Sequence, residues 1–153
     1  GRYKEARSEY KRALSKEQRP RTIYNYARLE HECELPGVAE GWYRKVLEME
    51  CSLILKCNAL VYLGLIYHEV YCKAKVAISC YNQVLAQNPR HLQALDFKCA
   101  ALHESDPPAA ALLHMELCEL DPSHKFRACL YQDTLTNQDH ISHQEAIDLE
   151  YEA

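Results

Sequence analysis

A His-Glu dipeptide recurs three times in this chain of 153 residues, and it is the residue pattern that most directly suggests chemistry. Histidine and carboxylate side chains bind zinc and transfer protons, so three such pairs raise the question of a metal or acid–base site. The pairs are His31-Glu32, His68-Glu69 and His103-Glu104. They lie at nearly equivalent places in three successive predicted helical hairpins, which should separate neighbouring pairs by about 8–10 Å. Zinc needs its ligand atoms about 2 Å from one centre, so we do not expect these pairs to form a metal site. We expect them instead to lie on the surface, to complete turns or to contact a bound peptide.

Catalysis and cofactor binding find no other support in the sequence. The chain contains no Gly-rich phosphate-binding loop, no Gly-x-Ser-x-Gly motif and no motif built on a Ser or Cys nucleophile. Its eight cysteines include no Cys-x-x-Cys pair, and no His lies at zinc-finger spacing from a pair of cysteines. We expect reduced, mostly buried thiols, which are typical of cytoplasmic or nuclear proteins. The sequence therefore predicts a protein that is not an enzyme and that uses no metal or cofactor.

The distribution of charge is uneven along the chain. The net charge is −4, yet residues 1–28 hold nine Lys or Arg against three Glu, whereas residues 131–153 hold six acidic residues and no Lys or Arg. These stretches are either two solvated faces or complementary ends that favour head-to-tail contact. Hydrophobic residues make up 48% of the chain, but no run of about eighteen apolar residues occurs, so we expect neither a membrane span nor, in the chain as given, a signal peptide.

One pattern of residues occurs four times and organises the whole chain. An Ala is followed four residues later by a Tyr or a similarly bulky residue, and three residues after that by a small or branched apolar residue. The intervals between successive copies are 33, 38 and 33 residues, and a period near 34 residues is typical of stacked helical hairpins. The copies are Ala6-Tyr10-Ala13, Ala39-Tyr43-Val46, Ala77-Tyr81-Val84 and Ala110-His114-Leu117.

Apolar spacing and helix-breaking prolines predict nine helices in one domain, residues 1–153. The predicted helices cover residues 3–17, 21–33, 37–50, 53–71, 73–87, 91–104, 108–120, 123–135 and 143–152. They form a partial repeat at about 1–20, complete hairpins at 21–51, 53–89 and 90–122, and capping helices at 123–153. Small residues should let the two axes of a hairpin approach closely: Ala27, Gly64 and Cys99 on the first helices, and Ala39, Ala77 and Ala110 on the second. After a polar loop at 136–139, Ser142 and Glu145 form a capping box, and Ile141 and Ala146 are placed for a hydrophobic staple.

The central hairpin carries a family resemblance. Leu63-Gly64-x-x-Tyr67, followed by Ala77-x-x-x-Tyr81-x-x-Val84 and Asn88-Pro89, resembles the tetratricopeptide repeat (TPR), and the resemblance covers roughly residues 1–122. It implies an all-α, TPR-like α-solenoid of about three complete helical hairpins plus terminal helices. It also implies a scaffold that binds a peptide or protein partner through its concave groove.

The first third of the chain also resembles the half-a-TPR (HAT) variant, which is found in RNA-processing assemblies. The resemblance rests on Ala6-Arg7-x-x-Tyr10-x-x-Ala13-Leu14 and Tyr24-x-x-Ala27-x-x-Glu30. It implies an alternative function, contact with RNA through the basic stretch Arg2–Arg21. A third hypothesis is self-association through the N-terminal helix, on a face bearing Ala6, Tyr10 and Leu14.

First helices line the inner wall of such a stack, so residues off their packing stripe should face the groove. This predicted wall passes from basic through apolar and aromatic to mildly acidic, and it would complement a segment with an acidic start and an apolar middle. Binding of a chaperone C-terminal tail, which uses Lys, Arg and Asn from successive first helices in the family, is disfavoured because the third hairpin offers Asp96 and Ala100. The predicted partner-binding residues are Arg21, Tyr24, Arg28, His31, Asn58, Val61, Tyr62, Leu65, His68, Gln93, Asp96 and His103.

Overall fold

A computed structural model describes residues 2–123, and within this range the chain forms seven α-helices and no strand. Their ends agree with the sequence prediction to within two residues. The predicted helices at 123–135 and 143–152, the loop at 136–139 and the capping box lie outside the described residues, apart from Ser123. The helices are α1 (Arg2–Lys16), α2 (Pro20–Glu32), α3 (Pro36–Glu48), α4 (Leu53–Glu69), α5 (Ala74–Gln87), α6 (Leu92–Ser105) and α7 (Pro107–Leu120).

Local sequence signals explain where the helices begin. Prolines occupy the first turn of α2, α3 and α7, where no intrahelical N–H bond is lost. Ser52 and Asp106 cap α4 and α7, since their side-chain oxygens accept from the backbone N–H groups of Leu55 (3.2 Å) and Ala109 (3.3 Å). At α6, the Nδ1 atom of His91 accepts from a backbone N–H in the same way.

The helices stack as antiparallel neighbours, each packing on the one before and the one after it. The first helices of successive hairpins also touch, α2 against α4 and α4 against α6, whereas among the seven described helices no comparable contact joins α3 to α5 or α5 to α7. This asymmetry means that the stack curves with α2, α4 and α6 on its inner side. The inner wall predicted from the sequence is therefore made by these three helices.

The small residues predicted at the helix crossings are all buried. Tyr43 and Tyr81 are fully buried beside them, and their rings also contact Tyr62 and Phe97 of the next hairpin. The tightest approach lies in the central hairpin, where a Cβ atom added to Gly64 would lie 2.6 Å from Cε1 of Tyr81. Glycine is required here because no other residue leaves room for the Tyr81 ring. The crossing residues are Ala27, Ala39, Gly64, Ala77, Cys99 and Ala110.

A charged pair fastens α1 to α2. The Nε atom of Arg7 lies 2.6 Å from Oε1 of Glu30, whose side chain is fully buried. Burial and the hydrogen bond to Glu30 raise the pKa of Tyr26 on the same helix. Leu14 is also buried at this junction, so the expectation that it lies on an exposed face of α1 is wrong: it packs in the core that α2 closes.

We expect Gly64→Ala to destabilise the fold by about 1–3 kcal/mol, because the new methyl group must displace the buried Tyr81 ring. Gly41→Ala is the matched control. Gly41 lies within α3, and a Cβ atom added there would meet nothing within 4 Å, so alanine should stabilise the helix by up to about 1 kcal/mol. Urea unfolding followed by circular dichroism measures both. Equal stabilities for the two variants would contradict the close approach.

Candidate functional site

The structure places most of the predicted partner-binding residues on accessible parts of the inner-wall helices. Eleven of the twelve are at least partly exposed: Arg21, Tyr24, Arg28 and His31 on α2, Asn58, Tyr62, Leu65 and His68 on α4, and Gln93, Asp96 and His103 on α6. Val61 is the exception. It is fully buried and packs against Val84 of α5 and Ala94 of α6, so the expectation that it faces the groove is wrong.

An aromatic cluster lies where α2, α3 and α4 meet. The ring centroids of Tyr24 and Tyr62 are 6.3 Å apart, and each lies about as close to Tyr43, at 6.0 and 6.2 Å. Tyr43 and Tyr62 are nearly parallel, with 13° between their planes. Such pairs are worth about 0.5–1.5 kcal/mol beyond the area they bury. Tyr43 belongs to a second helix and forms the buried base beneath the two partly exposed rings of the wall.

Arg28 lies over this cluster. Its guanidinium carbon is 4.2 Å from the centroid of Tyr62, which is a cation–π contact, and an Nη atom lies 3.8 Å from a carboxylate oxygen of Glu32. Burial raises the pKa of Tyr24, although its hydrogen bond with Arg28 acts in the opposite direction. Arg28 is therefore held in place by aromatic groups while its side chain stays 38% exposed.

Tyr62 connects all three helices of the wall. It carries the Arg28 and Tyr24 contacts from α2, and its hydroxyl accepts a hydrogen bond of 3.2 Å from Nε2 of Gln93 on α6. Leu65 is partly exposed one turn further along α4. We name Tyr24, Arg28, Tyr62, Leu65 and Gln93 the aromatic wall. It combines a fixed cation, flat apolar surfaces and amide and hydroxyl groups on one accessible face.

The three His-Glu pairs do not converge on one point. Instead, a His of one hairpin faces a Glu of the next: Nε2 of His68 lies 3.3 Å from Oε1 of Glu104. The charge of Glu69 similarly acts on His31, although burial is the larger effect and lowers the pKa of His31. In residues 2–123 no group of three or more His, Cys, Asp or Glu residues could hold a metal ion. The recurrence of the His-Glu pairs at the repeat spacing therefore indicates contacts between successive hairpins.

The far end of the wall is more polar. Asp96 borders a cavity of about 380 Å³ together with apolar residues of α6 and α7, and Gln93 opens onto the same space. His103 is partly buried near the end of α6. The change from a basic wall at α2 to a mildly acidic one at α6 stays a prediction, with Asp96 as its carboxylate on α6. The apolar lining residues are Leu92, Phe97 and Leu117.

The seven cysteines within the described residues are free thiols. Burial raises the pKa of Cys57 and Cys80 and raises that of Cys99 to about 12, so these three thiols stay protonated near neutral pH and behave as small apolar groups. Across residues 2–123, every helix is too short or too polar to cross a lipid bilayer.

The comparisons with known proteins agree with this geometry at the level of the fold. No protein-family model and no curated protein matches the chain. A solved structure does match: YrrB, described as a TPR protein with an unusual peptide-binding site, superposes with a TM-score of 0.69 at 18% sequence identity. The match covers 86% of this chain and 66% of the YrrB chain, so this chain accounts for less than two thirds of its structural neighbour. The prediction of an all-α, TPR-like α-solenoid is confirmed.

We expect His31→Gln to weaken the pH dependence of stability between about pH 7 and pH 5. Burial lowers the pKa of His31 in the fold below its unfolded value of about 6.5, so the unfolded chain takes up the proton first. The free energy of unfolding of the wild type should therefore fall as the pH drops below about 6.5, and the variant should lose less. Urea unfolding at several pH values measures the difference. Parallel pH profiles would contradict it.

Proposed function

We propose that the chain is a non-catalytic scaffold that binds a peptide segment of a partner protein on the aromatic wall of its concave side. The observation that supports this most is the group around Tyr62, which presents an arginine, two aromatic rings and an amide on one accessible surface. Tyr and Arg are enriched among the residues that dominate binding energies at interfaces. The fold adds weight, because it is that of a structural neighbour described as having a peptide-binding site.

The bound segment should begin with an acidic residue and continue with apolar ones. The ion pair between Arg28 and Glu32 is long, at 3.8 Å, and both side chains are substantially exposed, so it contributes little free energy. A ligand carboxylate can replace Glu32 there at small cost, and the exposed Arg21 lies about two turns earlier on the same face of α2. Tyr62 and Leu65 then offer apolar contact for the middle of the segment.

The same wall disfavours the C-terminal tail of a chaperone as the ligand. Such a tail needs basic residues from successive first helices, and α6 supplies Asp96 at that end of the wall. The reduced thiols favour the cytoplasm or the nucleus as the place of action, since disulfides are rare there.

Selection from a displayed library of random twelve-residue peptides tests the proposal while the partner is still unidentified. We expect enriched peptides to carry acidic residues followed by apolar ones, and Arg28→Glu to weaken their binding at least tenfold, since it reverses the charge that meets the acidic start. Fluorescence anisotropy measures the affinity, and a thermal melt checks that the variant is folded. Arg90→Glu, an exposed charge reversal in the α5–α6 turn, is the control. Equal weakening by both variants, or no enrichment, would overturn the proposal.

Contact with RNA is the alternative function, and one observation favours it. Helix α1 exposes five basic side chains, even though Arg7 is engaged by Glu30 and Arg19 by Glu17. Phosphate groups are neutralised by such clusters without any need for a pocket. The exposed residues are Arg2, Lys4, Lys11, Arg12 and Lys16.

Titration with single-stranded RNA at several salt concentrations separates this function from peptide binding. If α1 contacts phosphates, the logarithm of the affinity should fall linearly with the logarithm of the salt concentration, and the variant with Lys11→Glu and Arg12→Glu should show a shallower slope. Peptide binding through the aromatic wall should change little in that variant. Absence of RNA binding at low salt would remove this alternative.

A further inference from the structure

The turns that join the two helices of each hairpin carry an exposed apolar surface that the aromatic wall does not use. Five of the exposed large hydrophobic residues of the described chain belong to the first two of these turns or to the helix ends beside them. We name this surface the turn edge, and its residues are Leu35, Pro36, Val38, Val70, Tyr71 and Val76. It lies at one edge of the stack, where α2 and α4 end and α3 and α5 begin.

The turn edge is continuous across two hairpins. The hydroxyl of Tyr71, at the end of α4, donates a hydrogen bond of 2.9 Å to Oε2 of Glu40 on α3. The hydroxyl oxygen of Tyr71 also lies 3.9 Å from where a Cβ atom of Gly37 would be. Beside this contact, a cavity of about 300 Å³ opens between the two turns, large enough for one apolar side chain. Its lining comes from both hairpins: His31, Glu34, Pro36 and Val70.

Each of the two turns contains one residue in a left-handed conformation and is closed by backbone hydrogen bonds. Glu34 and Cys72 occupy left-handed conformations, with φ of 61° and 54°, in the first and second turn respectively. Each turn closes on its preceding helix, through the bonds from Leu35 N–H to Glu30 O (2.9 Å) and from Lys73 N–H to Tyr67 O (2.8 Å). A preformed surface loses little conformational entropy when a partner binds, which favours docking.

The charge of the turn edge indicates which kind of molecule would bind there. Four carboxylates lie at the ends of α2, α4 and α6 along this edge, two of them in contact with Arg28 and His68, and the other basic residues beside them are Lys73 and Lys75. The edge therefore keeps a small net negative charge, whereas the α2 end of the aromatic wall is basic. An anionic lipid surface would be repelled by it, whereas lysine and arginine side chains would be attracted. The carboxylates are those of Glu32, Glu34, Glu69 and Glu104.

We propose that the turn edge is a second docking surface, which takes a basic amphipathic segment of a partner protein: one apolar side chain enters the cavity between the turns, and flanking Lys or Arg residues meet the acidic rim. This proposal does not depend on the function of the aromatic wall. The two surfaces prefer segments of opposite charge, and they adjoin at the ion pair between Arg28 and Glu32.

Binding of a labelled amphipathic helical peptide made of Leu and Lys tests the proposal. The comparison peptide has the same sequence with Glu in place of each Lys. We expect the Lys peptide to bind and the Glu peptide to bind at least tenfold more weakly, by fluorescence anisotropy at low salt. Val70→Ser should weaken binding of the Lys peptide about fivefold or more, because it removes apolar lining from the cavity. The double variant Glu34→Lys, Glu69→Lys should also weaken binding of the Lys peptide, because it replaces two negative charges of the rim with positive ones.

Ile54→Ser is the matched control, since Ile54 is an exposed apolar residue at the opposite end of α4, about 20–25 Å away along the helix. It should leave the affinity within twofold of wild type, as should Arg90→Glu, an exposed charge reversal in the α5–α6 turn at the opposite edge of the stack. Equal weakening by Ile54→Ser and Val70→Ser would overturn the proposal, and so would failure of the Lys peptide to bind. Sedimentation of the chain alone provides a further check: dimerisation abolished by Val70→Ser would show that a second copy, not a basic partner segment, occupies the edge.

Discussion

The close approach of the two helices in each hairpin is the constraint on which the rest of the structure depends. It is tightest at Gly64, whose missing side chain gives the Tyr81 ring its place. With small residues at the crossings, the bulky Tyr43 and Tyr81 are buried on the second helices and reach Tyr62 and Phe97 of the next hairpin. Successive first helices then touch while second helices spread apart, and the stack curves. The concave wall thus depends on the small residues at the helix crossings.

The two candidate surfaces arise from this curvature in different ways. On the concave side, neighbouring first helices are close enough for Tyr62 to contact residues of both α2 and α6, which fixes Arg28 and Gln93 relative to each other. At the turn edge, the end of α4 leans onto the beginning of α3, where Glu40 accepts hydrogen bonds from Tyr67 and Tyr71. Each surface combines residues from at least two hairpins, so neither would exist in an isolated repeat.

Much of the fold could be predicted from the sequence because its signals are local and repeated. Prolines and caps set the helix ends, and the Ala-Tyr-apolar pattern contains the crossing residues of the second helices, Ala39, Ala77 and Ala110. The site was less accessible, and Val61 shows why. Helix α4 contacts α2, α3, α5 and α6, so it is apolar on most of its circumference, and spacing alone cannot tell its wall face from its buried faces. The base formed by Tyr43 and the pairing of His68 with Glu104 depend on distances between hairpins, which a single sequence does not give.

The buried carboxylate of Glu30 makes the stability of α2 depend on α1. Removing the guanidinium of Arg7 would leave a carboxyl group buried without its charged partner, which is strongly unfavourable. A ligand or a variant that draws Arg7 away would therefore weaken the first complete hairpin from within, and its effect would not stop at the N-terminal helix.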